Sequence, residues 1–125
     1  MALGIAARTV YQTRVNFKVF YFFSRFGDEV KSTLPVEMGQ VEICALLLGR
    51  LREEDDYLGI VDDHENLLQI LYEPASGRYW IEIPLLDQRA SYGQYVSAEE
   101  LTEFILRLPR RFRRPQFPGF EFREW

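Results

Sequence analysis

Residues 57 to 83 read "YLGIVDDHENLLQILYEPASGRYWIEI". Three runs inside this stretch, Tyr57 to Val61, Leu67 to Tyr72 and Arg78 to Ile83, are rich in Leu, Ile, Tyr and Trp, and DDHEN and EPASG separate them. β-branched and aromatic side chains suit a pleated, half-buried surface, whereas Asp, Asn, Pro and Gly suit the turns between strands. The reading is an antiparallel meander. Because successive side chains on a strand point to opposite faces, Tyr79, Ile81 and Ile83 facing a core would leave Arg78, Trp80 and Glu82 projecting from the other side.

Upstream, Val15, Phe17, Val19, Tyr21 and Phe23 alternate with Asn16, Lys18, Phe20 and Phe22, which predicts a strand with both faces largely covered. Gly27 suggests a turn, and Leu34-Pro35 an extended segment, since proline restricts the residue before it. From Gly39 to Arg52 the residues Val41, Cys44, Leu47, Leu48 and Leu51 recur at three- and four-residue steps, predicting a helix, with a buried strand from Ile43 to Leu48 as the alternative. Glu53-Glu54-Asp55-Asp56 reads as a solvated connection.

Downstream, Ser91-Tyr92-Gly93 reads as a loop. Ser97-Ala98-Glu99-Glu100 is a capping box, Leu101, Phe104, Ile105 and Leu108 form one apolar stripe, and Pro109 supplies the stop: a helix over residues 97 to 108. The tail RRFRRPQFPGFEFREW follows, with a short edge strand at Phe120 to Arg123. Residues 1 to 12 lack a clear period and read as a loose end, and residues 109 to 125 as a basic, aromatic tail. The expectation is a single domain over residues 1–125 of the α+β class, an antiparallel sheet of about four to five strands with two helices packed on one face.

A hydrophobic content of 47% argues against disorder. The longest apolar runs, Ile43 to Leu48 and Val19 to Phe23, fall far short of the roughly 20 residues that span a bilayer. No membrane association is expected. The opening residues lack the pattern of a secretory signal, so the cytoplasm is the expected location. The formal charge of −4 is unevenly spread: residues 1 to 106 hold 9 Lys and Arg against 17 Asp and Glu, a net −8, while residues 107 to 125 hold 6 Arg against 2 Glu, a net +4.

Asp62-Asp63-His64-Glu65 collects residue types that bind metals and move protons. Consecutive residues point in different directions, however, and the chain holds no HExxH and no spaced Cys/His set, so an exposed hairpin tip is favoured over a metal-dependent hydrolase. Glu73 and Glu82 could be brought together by strand pairing as an acid and base, but surface solvation or a partner contact is favoured. The lone Cys44 sits in an apolar run and reads as a buried hydrophobe. Arg107, Arg110, Arg111, Arg113 and Arg114, interleaved with Phe112, offer the alternative of a nucleic-acid-binding accessory protein, against the plain reading that the tail folds back onto an acidic body. Trp80, beside Glu82 and near Gln69, reads either as a recognition anchor or as a residue packed beneath a loop or the tail.

The order from Glu42 to Pro109, a helix, a strand ending in an acidic turn, "NLLQILYE", "RYWIEIP", a loop with "SYGQY" and "SAEELTEFILRLP", resembles the small immunity proteins of bacterial polymorphic-toxin and interbacterial-competition systems, type VI secretion included. The resemblance implies a non-catalytic protein, with no cofactor and no bound metal, that binds and neutralises a cognate toxin. It supplies no contact residues. Those expected from the sequence are Asp55, Asp56, Asp62, Asp63 and Glu65 for electrostatic steering, and Gln69, Trp80 and Glu82 for contact. A homodimer stays open.

Overall fold

The computed structural model describes residues 16–113 and 117–125. The expected loose end at residues 1 to 12, Val15 and Arg114 lie outside the described residues. In chain order the elements are β1 (Asn16–Phe23), β2 (Asp28–Val30), β3 (Val36–Gly39), α1 (Gln40–Arg50), β4 (Tyr57–Val61), β5 (Leu67–Glu73), β6 (Arg78–Leu85), β7 (Ala90–Val96), α2 (Ala98–Leu106) and β8 (Glu121–Glu124).

The α+β class, the antiparallel meander and the two helices on one face agree with the expectation, but among the described residues the sheet has eight strands, not four or five. Its order is β2-β1-β4-β5-β6-β7-β8, and β3 shares the outer edge of β1 with β2: β3 pairs residues 16–19 and β2 pairs residues 21–23. The extra strands have physical reasons for staying hidden. β2 and β3 are three and four residues long, too short to show a period. β7, "ASYGQYV", mixes Ser, Gly and Gln with its aromatics, so the expected loop at Ser91-Tyr92-Gly93 is in fact a strand between β6 and β8.

One face of the sheet carries the core. Phe17, Val19 and Phe23 of β1, Leu58 and Ile60 of β4, Leu68 and Ile70 of β5, and Tyr79 and Ile81 of β6 are buried there. Hiding each large aliphatic among them stabilises the fold by about 2 kcal/mol. α1 covers this face with Ile43, Cys44, Leu47 and, just past its end, Leu51. The expected stripe began at Val41, which is exposed; Ile43 takes the inward position instead. α2 contributes Leu101 and Ile105, and Leu108 follows them. Its capping box forms as the sequence predicts: Glu100 N–H donates to Ser97 Oγ at 3.1 Å, and Ser97 N–H donates to Glu100 at 2.8 Å. Gln40 donates to the Ile105 and Leu106 carbonyls at 3.1 Å each, which satisfies orphan acceptors at the end of α2 and ties the helices together.

The tail is part of the core. Phe112, Phe117 and Phe120 are buried; Phe112 stacks on Phe17 at 5.6 Å, and Phe117 and Phe120 pack on Phe104 of α2. Phe112 is therefore unavailable to stack on a nucleic-acid base. The tail then turns and adds β8 to the sheet, close to the predicted edge strand at Phe120 to Arg123.

Two buried carboxylates pin the loops. Asp56, fully buried and not part of a solvated connection, accepts from Ser24 N–H and Oγ at 2.8 Å each and from Arg52 and Glu53 N–H at 3.3 and 3.1 Å. Asp62 accepts from His64 N–H, Asn66 N–H, Asn66 Nδ2 and Phe112 N–H, the last at 2.7 Å. Burial pushes both carboxyls up, but the converging donors outweigh it and hold each below its ordinary value.

Candidate functional site

Among the described residues α1, α2 and the tail's Phe112, Phe117 and Phe120 pack on one face of the sheet. Strand register places Lys18, Phe20 and Phe22 of β1, Gln69, Leu71 and Glu73 of β5, Arg78, Trp80 and Glu82 of β6, Ser91, Gly93 and Tyr95 of β7, and Glu121 and Arg123 of β8 on the opposite face. At the β1 side Phe20 lies across Gly59 and against Tyr57. At the β5–β8 side the face hollows into a groove of about 440 Å³.

Two rows of cross-strand neighbours build this groove. In the first, Leu71, Trp80 and Tyr95 stand side by side, with the Trp80 and Tyr95 rings edge to face at 4.8 Å. In the second, Gln69, Glu82, Gly93 and Glu121 are aligned. Gly93 is required by this packing: a Cβ there would collide with the Ile81 carbonyl and press on the Trp80 ring. Trp80 Nε1–H donates to Glu82 Oε1 at 2.7 Å, and Gln69 Nε2–H donates to Glu82 Oε2 at 3.3 Å. The contact expected between Trp80 and Gln69 thus runs through Glu82, since Gln69 pairs with Glu82 and Trp80 with Leu71.

Guanidinium groups lie on the aromatic faces. Arg123 sits over Trp80 at 4.5 Å, and Arg78 sits over Tyr95 at 4.5 Å. Tyr95 Oη–H donates to Glu73 at 2.8 Å. Hydrogen bonds from Ser76 and Tyr95, with help from the Arg78 and Arg123 charges, hold Glu73 below the ordinary carboxylate range. Trp80 and Glu82 are 9% and 8% exposed although no helix among the described residues covers them, and Arg123 lies over the Trp80 ring. Trp80 lies beneath a residue of the tail, as one of its two readings expected, and it also walls the groove. Trp125, 64% exposed, stands at the rim.

The other sequence candidates fall elsewhere. Asp55, Asp63 and Glu65 are exposed, away from the core. Asp56 and Asp62 are a correction: both are buried with their oxygens committed to loop N–H groups, so they are structural and present no charge to a partner's surface. The hairpin tip is turned by Asp62, Asn66 and a left-handed Glu65, while His64 Nε2 accepts from the Arg111 guanidinium, which can only donate. Among the described residues no three of His, Cys, Asp and Glu gather in an arrangement that could hold a metal ion. Strand register does not set Glu73 opposite Glu82. Glu82 pairs with Gln69, four residues from Glu73 on β5, which separates them by ~13 Å along the strand. Cys44 is buried, and burial raises its thiol pKa.

Sequence reasoning missed Tyr95, Arg123 and Trp125 as members of one site. Tyr95 lay in a segment without a clean period, and no local signal foretells that the tail returns to lay Arg123 on Trp80. No helix among the described residues is long and apolar enough to cross a membrane. No protein-family model matches this chain, and neither a curated protein nor a solved structure matches it.

Proposed function

We propose that this chain is a non-catalytic binding protein of the immunity type, which neutralises a cognate bacterial toxin by holding it against the open face of the sheet. The observation that carries the reading is the groove there: aromatic walls from Trp80 and Tyr95, an exposed Trp125 at the rim, and charged groups of both signs fixed around them. Trp, Tyr and Arg dominate the energetics of protein interfaces, because each buries a large area while keeping a directional polar group. Here they are already held in place by cross-strand packing. Less rotamer entropy is then lost on binding.

The resemblance over Glu42 to Pro109 supplies the class of partner, and the net −8 of residues 1 to 106 suits a toxin with a basic substrate cleft. Asp55, Asp63 and Glu65 are the steering charges in this reading, Tyr95, Arg123 and Trp125 the contacts, and Gln69, Trp80 and Glu82 the floor that positions them. The cytoplasm, where such toxins are neutralised, is the proposed location. Nucleic-acid binding is the weaker alternative, because the tail's Phe112 is spent in the core.

Co-expression with the toxin encoded by the neighbouring gene tests the reading. Growth should be restored by this chain and lost again with Arg123→Glu, an exposed change that leaves the core intact. Toxicity unaffected by the unmodified chain would refute the proposal.

A further inference from the structure

Among the described residues no strand lies beyond β8, and all four of its residues are exposed. The opposite edge of the sheet is broken between β2 and β3, with Pro35 in the gap. Trp125 N–H donates to the Arg89 carbonyl at 2.9 Å, which fixes the direction of every backbone group along β8. Antiparallel pairing alternates, so Trp125, Arg123 and Glu121 bond inward to β7, and the N–H and C=O of Phe122 and Glu124 point out from the edge. Unpaired groups of this kind are a template for another strand.

The side chains decide which strand fits. Glu121 and Arg123 are on the open face, two residues apart and opposite in sign, while Phe122, 52% exposed, stands between them on the other face. Among the described residues no hydrogen bond or ion pair engages the Glu121 carboxylate or the Arg123 guanidinium. Glu-Phe-Arg is complementary to itself when reversed. A two-fold axis through Phe122 sets each Glu121 opposite an Arg123 and each Phe122 beside its copy, whereas an axis through Arg123 faces two guanidinium groups and one through Glu124 two carboxylates. An axis between residues would set outward backbone groups against inward ones and form no ladder. One register therefore serves both charge and hydrogen bonding.

We propose that β8 is a self-association edge: two copies of this chain join their β8 strands antiparallel about a two-fold axis through Phe122, making one continuous sheet. The interface is isologous, the same residues serving on both sides. Each copy donates Phe122 N–H to the other's Phe122 carbonyl, and the opposite charges facing across the strands add to these bonds. Because the axis runs perpendicular to the sheet, the two open faces lie on the same side and form one surface. The inference stands apart from the identity of any partner on that surface. A strand pair this short buries less than a standard interface, so the dimer is weak, with a dissociation constant on the order of 100 µM.

Sedimentation equilibrium of the whole chain, from about 10 µM to about 1 mM, tests it. The mean mass should rise with concentration from the 14.8 kDa of one chain toward twice that value. Glu121→Arg and Arg123→Glu should each remain monomeric, because each sets like charges opposite one another at both ends of the seam. An equimolar mixture of these two variants should dimerise, since each chain supplies the sign that the other lacks. Phe122→Pro removes an outward N–H where an edge strand tolerates proline, and should also stay monomeric. A parent chain whose mass does not change with concentration, single charge reversals that associate as well as the parent, a mixture no more associated than its components, or a folded Phe122→Pro protein that still dimerises would each overturn the inference.

Discussion

Asp62 shows how one buried side chain can hold two distant parts of a chain. Its oxygens organise the β4–β5 turn and, through Phe112 N–H, fasten the start of the tail. Asp62→Asn puts an amide donor where only acceptors serve, and should lower the unfolding free energy by about 2 to 3 kcal/mol, read from urea denaturation. The same geometry fixes the sign of the pH dependence. Asp56 and Asp62 have folded-state pKa values below their unfolded ones, so the stability they contribute is fully present above the unfolded pKa of about 3.9 and is lost as pH falls through the folded value. Stability should therefore fall steeply with acid below about pH 4, and Asp62→Asn should show a shallower acid loss than the parent.

At the scale of elements, the tail and the β7 strand carry consequences that sequence periodicity conceals. Phe117→Ala should cost about 3 kcal/mol, because it empties a site packed against Phe104 and Phe120, whereas a dangling tail would tolerate the change; thermal unfolding distinguishes the two. Gly93→Ala should also destabilise, and the Trp80 near-ultraviolet circular dichroism should change with it, since the new methyl meets the Ile81 carbonyl and the indole. The β5–β6 hairpin and α2 were legible because their signals are local: alternation with a turn between strands, and a capping box followed by an apolar stripe. β2 and β3 are too short for alternation to register. β7 is broken by Gly93, the very residue that lets Trp80 lie flat. The site was legible by halves, Gln69, Trp80 and Glu82 from strand alternation, while Tyr95 and Arg123 arrive by pairings with no local trace. Asp56 and Asp62 were misplaced because a run of acidic residues shows charge but not which members turn inward to bind N–H groups.

Taken whole, the molecule is a two-sided sheet whose faces have different occupations. One is filled by α1, α2 and the aromatic tail; the other, left open by the described residues, is furnished with aromatics, carboxylates and fixed guanidiniums. Charge belongs to this scale. Changing Asp55, Asp63 and Glu65 together to Lys should slow association with a basic partner by about tenfold at low salt while leaving dissociation nearly unchanged, an asymmetry that surface-plasmon kinetics at two salt concentrations would display. Self-pairing at the sheet's edge in registers other than the one centred on Phe122 is discouraged by the charges of Glu121, Arg123 and Glu124 on β8. The central claim is that the open face, and not the helical one, meets the partner, and hydroxyl-radical footprinting of the purified complex tests it most directly. Oxidation should fall at Tyr95 and Trp125 while Val41 and Leu106 on the helices keep their free-state reactivity; protection confined to Val41 and Leu106, with Tyr95 and Trp125 unchanged, would contradict it.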